Sequence, residues 1–390
     1  MTLPNVMQQV LSQAALYVQD ALYALWQCLS HASGSSVVQV HGTTYEIVRL
    51  LGEGGFSMVY LVRDARTHEL YALKKIQCQH GPESVREALA EIEAMRRFRG
   101  PHTLPLVDAT VVQDDGRGAS LLVNQVPAHD EESLRTGKLV YLVLPYMPRG
   151  HLQDEIHAHA VHHTRFDEAR MLRLFLSACE GVRTLHKYTL PNVPLEAPNT
   201  ARDDASLLFD AETYPMATPM QSRATDGAGE VVPYAHRDIK PANLLVRDDG
   251  ESVVLMDFGS TIRARVPIRT RRDAVAAQDV AAERSSMPYR APELFDVQTD
   301  TELTEQVDIW SLGCTLYAMA YLHSPFETPS TIEQGGSLAL AISNGAYSWP
   351  ADDPYSDAVR TLITQCLARD PAARPSIDEL IARVKAAMST

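Results

Sequence analysis

Cysteine is scarce and scattered: Cys28, Cys78, Cys179, Cys314 and Cys366 show no CxxC spacing. That excludes a disulfide framework and a zinc-ribbon pattern, and fits a reducing compartment. Positive charge is short as well, with 35 Lys and Arg against 49 Asp and Glu and a formal net charge of -14. General nucleic-acid binding needs a basic surface to displace counterions, so no nucleic-acid partner is expected. No apolar run reaches the length of a membrane span and no basic-then-apolar leader opens the chain, so neither a membrane-spanning nor a secreted form is expected. Charge itself is nearly missing from the start of the chain, where Asp20 is the only formally charged side chain before Glu46. What remains, 45% hydrophobic and 22% charged residues, is the composition of a globular protein with ample core-forming material.

Residues 1–43 form a segment apart. Leu3, Met7, Leu11, Ala14, Val18, Leu22, Leu25 and Leu29 recur every three or four positions, an amphipathic helical pattern, and Gly34-Ser35-Ser36 breaks it. Residues 44–147 read as strand-rich: Tyr45 to Leu51, Met58 to Asp64 and Leu70 to Ile76 as three antiparallel strands, a helix over Val85 to Phe98, then apolar runs at Leu104 to Val112 and Leu139 to Met147. Residues 113–138, with Asp114, Asp115, Gly116, Gly118, Asp130, Glu131 and Glu132, read as a long polar loop between the last two strands. Residues 148–390 are dominated by helical patterns, with short strands at Asn243 to Val246 and Val253 to Met256. The stretch 188–233 interrupts them. It carries Glu196, Asp203, Asp204, Asp210, Glu212, Asp226 and Glu230 against Arg202 and Arg223, together with six prolines. Such a segment buries too little apolar surface to offset its ordering entropy, so mobility is expected, with its two ends close together. The pattern as a whole is α+β.

Three motifs carry chemistry. His236-Arg237-Asp238-Ile239-Lys240-Pro241-Ala242-Asn243, then Asp257-Phe258-Gly259, then Ala291-Pro292-Glu293 resemble in order and spacing the catalytic loop, metal-binding turn and activation-segment end of the eukaryotic protein kinases. The resemblance covers Tyr45 to the C-terminus and implies a bilobal fold, with a small antiparallel β-sheet N-lobe and a mainly helical C-lobe. It implies Asp238 as catalytic base, Lys240 as the neutraliser of the γ-phosphate, and Asn243 and Asp257 as ligands of Mg2+ or Mn2+. A lysine two residues after the base is typical of serine/threonine kinases.

Gly52-Glu53-Gly54-Gly55-Phe56-Ser57-Met58-Val59 lies between two strand patterns, where glycines let the backbone approach triphosphate oxygens. Taken alone the run also reads as a glycine-rich hairpin turn. Lys74 at the end of the next strand is the candidate for the α- and β-phosphates of ATP, with Lys75 on the opposite sheet face. Glu91 is expected to orient Lys74 in preference to Glu87. Tyr141 to Met147 resembles the strand entering the hinge. The nucleotide-binding set is therefore Gly52, Glu53, Gly54, Gly55, Phe56, Ser57, Val59, Ala72, Lys74, Leu144, Pro145, Met147 and Leu245. Further framework expectations are the Ser286 hydroxyl on Asp238 and Lys240, an ion pair between Glu293 and Arg374, and Asp308 as a brace of the catalytic loop. Thr270 and Ser285 are available phosphate acceptors, and the run Arg263, Arg265, Arg269, Arg271 and Arg272 reads as a solvated charge cluster.

Finer details, including Gly52 to Ser57, the proline hinge and Tyr289-Arg290-Ala291-Pro292-Glu293-Leu294-Phe295, resemble the Numb-associated kinase family, above all its acylated Golgi-associated member and a fungal vacuolar counterpart. That resemblance implies phosphorylation of protein Ser/Thr, autophosphorylation included, and a cytoplasmic setting on Golgi or vacuolar membranes. Thr2 excludes N-myristoylation from this start. For residues 1–43 two readings stand open: an interfacial helix with Cys28 palmitoylated, or a helix docked on protein with Cys28 buried. A kinase-fold scaffold without turnover is the alternative function, and retention of Lys74, Asp238, Asn243 and Asp257 argues against it. The oligomeric state is not legible.

Overall fold

The computed structural model describes residues 37–78, 82–114, 137–190, 229–327 and 337–389. The periodic pattern over Leu3 to Leu29, Cys28 and the central parts of both interruptions lie outside them. The chain divides into two compact units, one built from residues up to 79 with 108–143, the other from 80–107 with 144 onward.

The first unit is a six-stranded sheet in the order β1-β2-β3-β4-β6-β5. Its strands are β1 (Val37–Val40), β2 (Thr43–Glu53), β3 (Ser57–Asp64), β4 (Leu70–Cys78), β5 (Asp108–Asp114) and β6 (Gly137–Pro145), the last running into the second unit. β1 lies inside the segment 1–43 that the sequence set apart, just beyond its Gly34–Ser36 break; valines at every second position over Val38 and Val40 give it one buried face. That face joins Tyr45, Val62, Leu73, Leu139, Tyr141 and Val143 in one core, with Tyr45 edge-on to Tyr71 at 5.8 Å. β-branched and aromatic side chains suit such a pleated surface, and each buried one contributes about 1.5–3 kcal/mol. Asp114 pairs with Gly137, so the strands extend into both ends of the interval expected to be loop, which narrows to 115–136.

The second unit begins with α1 (Pro82–Arg97). The sequence placed this helix among the strands of 44–147. It groups instead with the residues beyond 144, because Phe98 at its end packs on Phe258, Tyr188 and Tyr234 at 6.3, 5.4 and 5.0 Å. There follow α2 (Leu152–Val161), α3 (Glu168–His186), β7 (Tyr234–Ala235), the hairpin β8 (Leu244–Val246) with β9 (Val253–Leu255), β10 (Ile262–Arg263), β11 (Val266–Ile268), α4 (Arg271–Arg284), β12 (Thr301–Leu303), α5 (Gln306–Tyr321), α6 (Leu338–Asn344), α7 (Asp357–Cys366) and α8 (Ile377–Ala387). α5 is buried on all sides from Val307 to Ala320, which makes it the axis of this unit. Asp167 caps α3 by accepting from Arg170 N–H, and Ser376 with Glu379 forms a capping box on α8. The ends of the acidic interruption are tied to each other: Thr189 bridges Val231, and Val232 N–H donates to Tyr188 C=O over 2.8 Å. The interval outside the described residues is thus 191–228, within the 188–233 read from sequence. The fold class is α+β, as expected.

Candidate active site

Within the first unit the sheet register lines up the glycine strand and the lysine. Gly52 pairs with Val59 and Val59 with Lys74, so the three stand side by side across β2, β3 and β4. Ala72 pairs with Leu61 one step along. Gly54 and Ser57 close the turn by exchanging N–H···O=C bonds of 2.7 and 3.4 Å, and Phe56 is exposed at its tip. A Cβ added at Gly52 or Gly55 would meet no atom within 4 Å, and neither residue has a positive φ. Nothing in the surrounding protein therefore requires glycine at these two positions, which leaves their backbone open to a ligand's approach. Lys75 is buried where Lys74 is half-buried, as opposite faces of the strand require.

The second unit builds the loop 236–243. β7 pairs with β10 (Ala235 with Ile262) before it, and β8 pairs with β9 (Leu244 with Leu255) after it, so both ends are pinned. Asp308 on α5, fully buried, accepts from His236 N–H at 2.7 Å and Arg237 N–H at 2.9 Å, while its Oδ2 also meets His186 Nε2 at 2.9 Å. Burial by itself would raise the Asp308 carboxyl. The His186 hydrogen bond, the electrostatic influence of the His186 and His236 rings and the Arg237 N–H outweigh it and hold the group below the usual carboxylate value. Arg237 takes a left-handed φ of 68° and is itself buried, and that burial lowers its guanidinium below the ordinary value. His236 Nδ1 accepts from Asp238 N–H at 3.3 Å, which leaves Nε2 to donate to Met256 C=O at 3.0 Å.

Inside this frame four polar residues interlock. Asp238 Oδ2 accepts from Lys240 Nζ at 2.7 Å and from Asn243 Nδ2 at 3.1 Å, and its Oδ1 accepts from Ser286 N–H at 2.8 Å. Lys240 Nζ also donates to Ser286 Oγ at 2.7 Å. The hydroxyl of Ser286 thus serves Lys240, and its backbone amide, not the hydroxyl expected from sequence, serves Asp238. Asn243 Nδ2 bonds Asp238 C=O as well, at 2.8 Å, so the amide oxygen Oδ1 is the end left for a cation.

Asp257 also sits in the left-handed region (φ 64°), at the head of the short turn Phe258–Ser260, a conformation that Asp tolerates better than most residues. Glu91 on α1 is 7% exposed, whereas Glu87 one turn earlier is exposed and paired with Arg284. A Cβ on Gly259 would lie 3.5 Å from Asp257 Oδ1 and 3.9 Å from Glu91 Oε2. Two carboxylates bordering one glycine favour a cation there. Asn243 Oδ1 and Asp257 are hard oxygen donors, a chemistry that fits a divalent cation whose remaining ligands are phosphate oxygens. Among the described residues no group of three or more His, Cys, Asp or Glu could hold a metal unaided.

Leu144 is buried and Pro145 and Met147 half-buried where β6 ends; Gly150 N–H turns back to Met147 C=O at 3.1 Å. Leu245 bridges His151 just beyond, which sets it beside this segment. Further out, Arg374 forks onto both carboxylate oxygens of Glu293 at 2.7 and 2.9 Å, donates to Ala368 and Gln306 carbonyls, and lies 5.1 Å over the Trp310 ring.

α4, like β1, escaped the sequence reading. α4 occupies the segment between Asp257 and Glu293, capped by the reciprocal Thr270–Asp273 pair. That Thr-x-x-Asp pattern and the alanines at 274, 276, 277, 281 and 282 were the available signal. Its C-terminus is fastened by the Arg284–Glu87 ion pair and by Ser260 Oγ donating to Arg284 C=O at 2.6 Å. Of the basic run, Arg265, Arg269, Arg271 and Arg272 are exposed, as a solvated cluster should be.

No helix among the described residues is long and apolar enough to cross a membrane. The profile described as the protein kinase domain matches residues 45–191 and 233–384. The chain is 34% identical to serine/threonine-protein kinase ppk13 of Schizosaccharomyces pombe over 94% of this chain and 97% of that protein. It is 34% identical to serine/threonine-protein kinase ENV7 of Saccharomyces cerevisiae over 91% and 94%, and 32% identical to serine/threonine-protein kinase 16 of Homo sapiens over 90% and 92%. On the extent of these matches, the chain belongs to the protein kinase family.

Proposed function

We propose that this chain transfers the γ-phosphate of ATP, with magnesium, to serine or threonine hydroxyls of proteins, itself included. The interlocked cluster of Asp238, Lys240, Asn243 and Ser286 carries the reading. Phosphoryl transfer needs an aligned hydroxyl and positive charge where negative charge develops, with little covalent help from the protein. Asp238 is held by three donors with its carboxylate fixed in direction, the posture of a group that receives or aligns a hydroxyl proton. Lys240 is held 2.7 Å from it and brings the neutralising charge to the same point. Asn243 and Asp257 would hold the metal, which would supply positive charge against the phosphates. Lys74 is assigned the α- and β-phosphates, Glu91 the role of orienting acid, and the open backbone at Gly52 to Gly55 the triphosphate. Ala72, Leu144, Pro145, Met147 and Leu245 are assigned the base.

The names of the relatives support serine and threonine as acceptors. Placement in the Numb-associated branch rests on the motifs at Gly52 to Ser57 and Tyr289 to Phe295. A setting on secretory or vacuolar membranes rests on the pattern over residues 3–29 and on Cys28, outside the described residues.

Purified protein with magnesium and labelled ATP tests the assignment. Wild type should label itself or a generic acceptor, and Asp238→Ala should lose about 10²–10⁴-fold in rate. If wild type transfers nothing and equals Asp257→Ala, the kinase-fold scaffold becomes the better account.

A further inference from the structure

The second unit carries a cavity of about 810 Å³ away from the cluster described above. It is formed where the end of α1, the length of α3, Ser252 of the β8–β9 hairpin and Lys385 of α8 meet. Six cations line it, namely Arg97, Arg99, Arg173, Arg183, Lys187 and Lys385, and Glu180 is the one carboxylate in its wall. The charges are not balanced locally. Arg97 pairs with Glu93 and Arg173 with Glu251; Arg183 and Lys187 share Asp378 at 2.7 and 2.9 Å; Lys385 reaches Glu180 at 3.2 Å. Among the described residues four carboxylates thus pair with these five cations, and Arg99, which is exposed, has no ion pair or side-chain hydrogen bond there. This surplus of positive charge is concentrated in one concavity of a chain whose formal net charge is -14.

We propose that this cavity binds a compact ligand bearing clustered phosphates, of the inositol polyphosphate class, whether free or as the headgroup of a lipid. Guanidinium forks match phosphate oxygens two at a time, and four of the six cations are arginines. The volume falls within the range of small-ligand sites, about 300–1,000 Å³. A single phosphate would meet cations already occupied. Several phosphates on one small scaffold displace the carboxylates at Arg173, Arg183, Lys187 and Lys385, because these ion pairs are exposed and weak and each phosphate brings nearly two charges, while Arg97 stays held by Glu93 and the Tyr234 hydroxyl.

The test uses the full chain with the nucleotide site saturated by a non-hydrolysable ATP analogue. Titration with inositol hexakisphosphate at about 50 and about 200 mM salt should show one saturable site that weakens with salt. Arg99→Glu with Lys385→Glu should weaken it by about tenfold or more, with unchanged melting temperature and phosphotransfer; Arg99→Glu alone, which breaks no existing pair, should weaken it in the same direction. Sedimentation with phosphatidylcholine vesicles, with and without phosphatidylinositol bisphosphate, separates the sources: enrichment lost in the variant assigns the lipid headgroup, and soluble binding without enrichment assigns the free compound. Absence of saturable binding, variants that bind like wild type, or binding of an acidic phosphopeptide in place of both probes would each overturn the proposal. Binding is read without turnover, so its failure is distinct from failure of the kinase assignment.

Discussion

Replacing Asp308 should separate the frame of the catalytic loop from its chemistry. The carboxylate is fully buried and accepts from two backbone amides, His236 and Arg237, and from the His186 ring. Asp308→Ala leaves three donors in the interior without a partner, at about 1–3 kcal/mol each, partly offset because a buried charge is removed too. A net loss of about 3–5 kcal/mol is expected, a large share of the roughly 5–15 kcal/mol that holds a domain together. Asp308→Asn keeps one acceptor oxygen but turns an N–H₂ toward another donor, for a loss of about 2 kcal/mol. Urea titration measures both, and amide exchange at His236 and Arg237 should accelerate beyond the global change. The pH dependence carries a sign. The folded-state pKa of Asp308 lies below its ordinary value, so its contribution is fully present above the unfolded carboxylate value near ~3.9 and is lost as pH falls through the folded one. The gap between wild type and Asp308→Asn should therefore close in acid. A gap that stays constant from neutral pH into strong acid, or a loss under about 1 kcal/mol for Asp308→Ala, would refute the reasoning.

Two ion pairs, each closed by a short contact, should behave differently. Glu293→Ala strands the guanidinium of Arg374, whose side chain is 0% exposed, and should cost about 3 kcal/mol, moderated by the Ala368 and Gln306 carbonyls that still accept from it. A thermal shift below about 2 °C would contradict that. Glu87→Ala breaks a pair whose side chains are 47% and 33% exposed, so stability should change by less than about 1 kcal/mol. A melting temperature lowered by more than about 5 °C would mean that the Arg284 contact anchors α4 far more firmly than its exposure allows.

How much was legible in advance follows from how local each signal is. Asp238, Lys240 and Asn243 lie within one turn of loop, so their spacing in sequence already fixes their meeting, and the hydrogen bonds among them were foreseeable in kind. Glu91 and Glu87 lie one turn apart on the same helix, yet one is buried and the other solvated, a difference that their spacing in sequence does not carry. Ser286 shows the limit of motif reading. A motif gives the residue but not which of its atoms is used, and here the backbone amide takes the contact expected of the hydroxyl.

Two further differences arise because sequence patterns are one-dimensional while packing is not. β1 was hidden since Val37-Val38-Gln39-Val40 is too short for its alternation to stand out beside a long helical period, and only pairing with Thr43 to Glu46 fixes it as a strand. α4 was hidden for the opposite reason. Alanine-rich and exposed over much of its surface, it has almost no apolar stripe, with Ala274 and Ala281 as its buried residues. A helix of that kind is held by its caps and ends more than by its face. Thr270–Asp273 at one end, Ser260 at the other, and Gln278 Nε2 donating to Phe295 C=O at 2.6 Å between them hold it in this chain. Reading caps before periodicity would have found it, since a reciprocal pair three residues apart is visible in sequence even where hydrophobic spacing is silent.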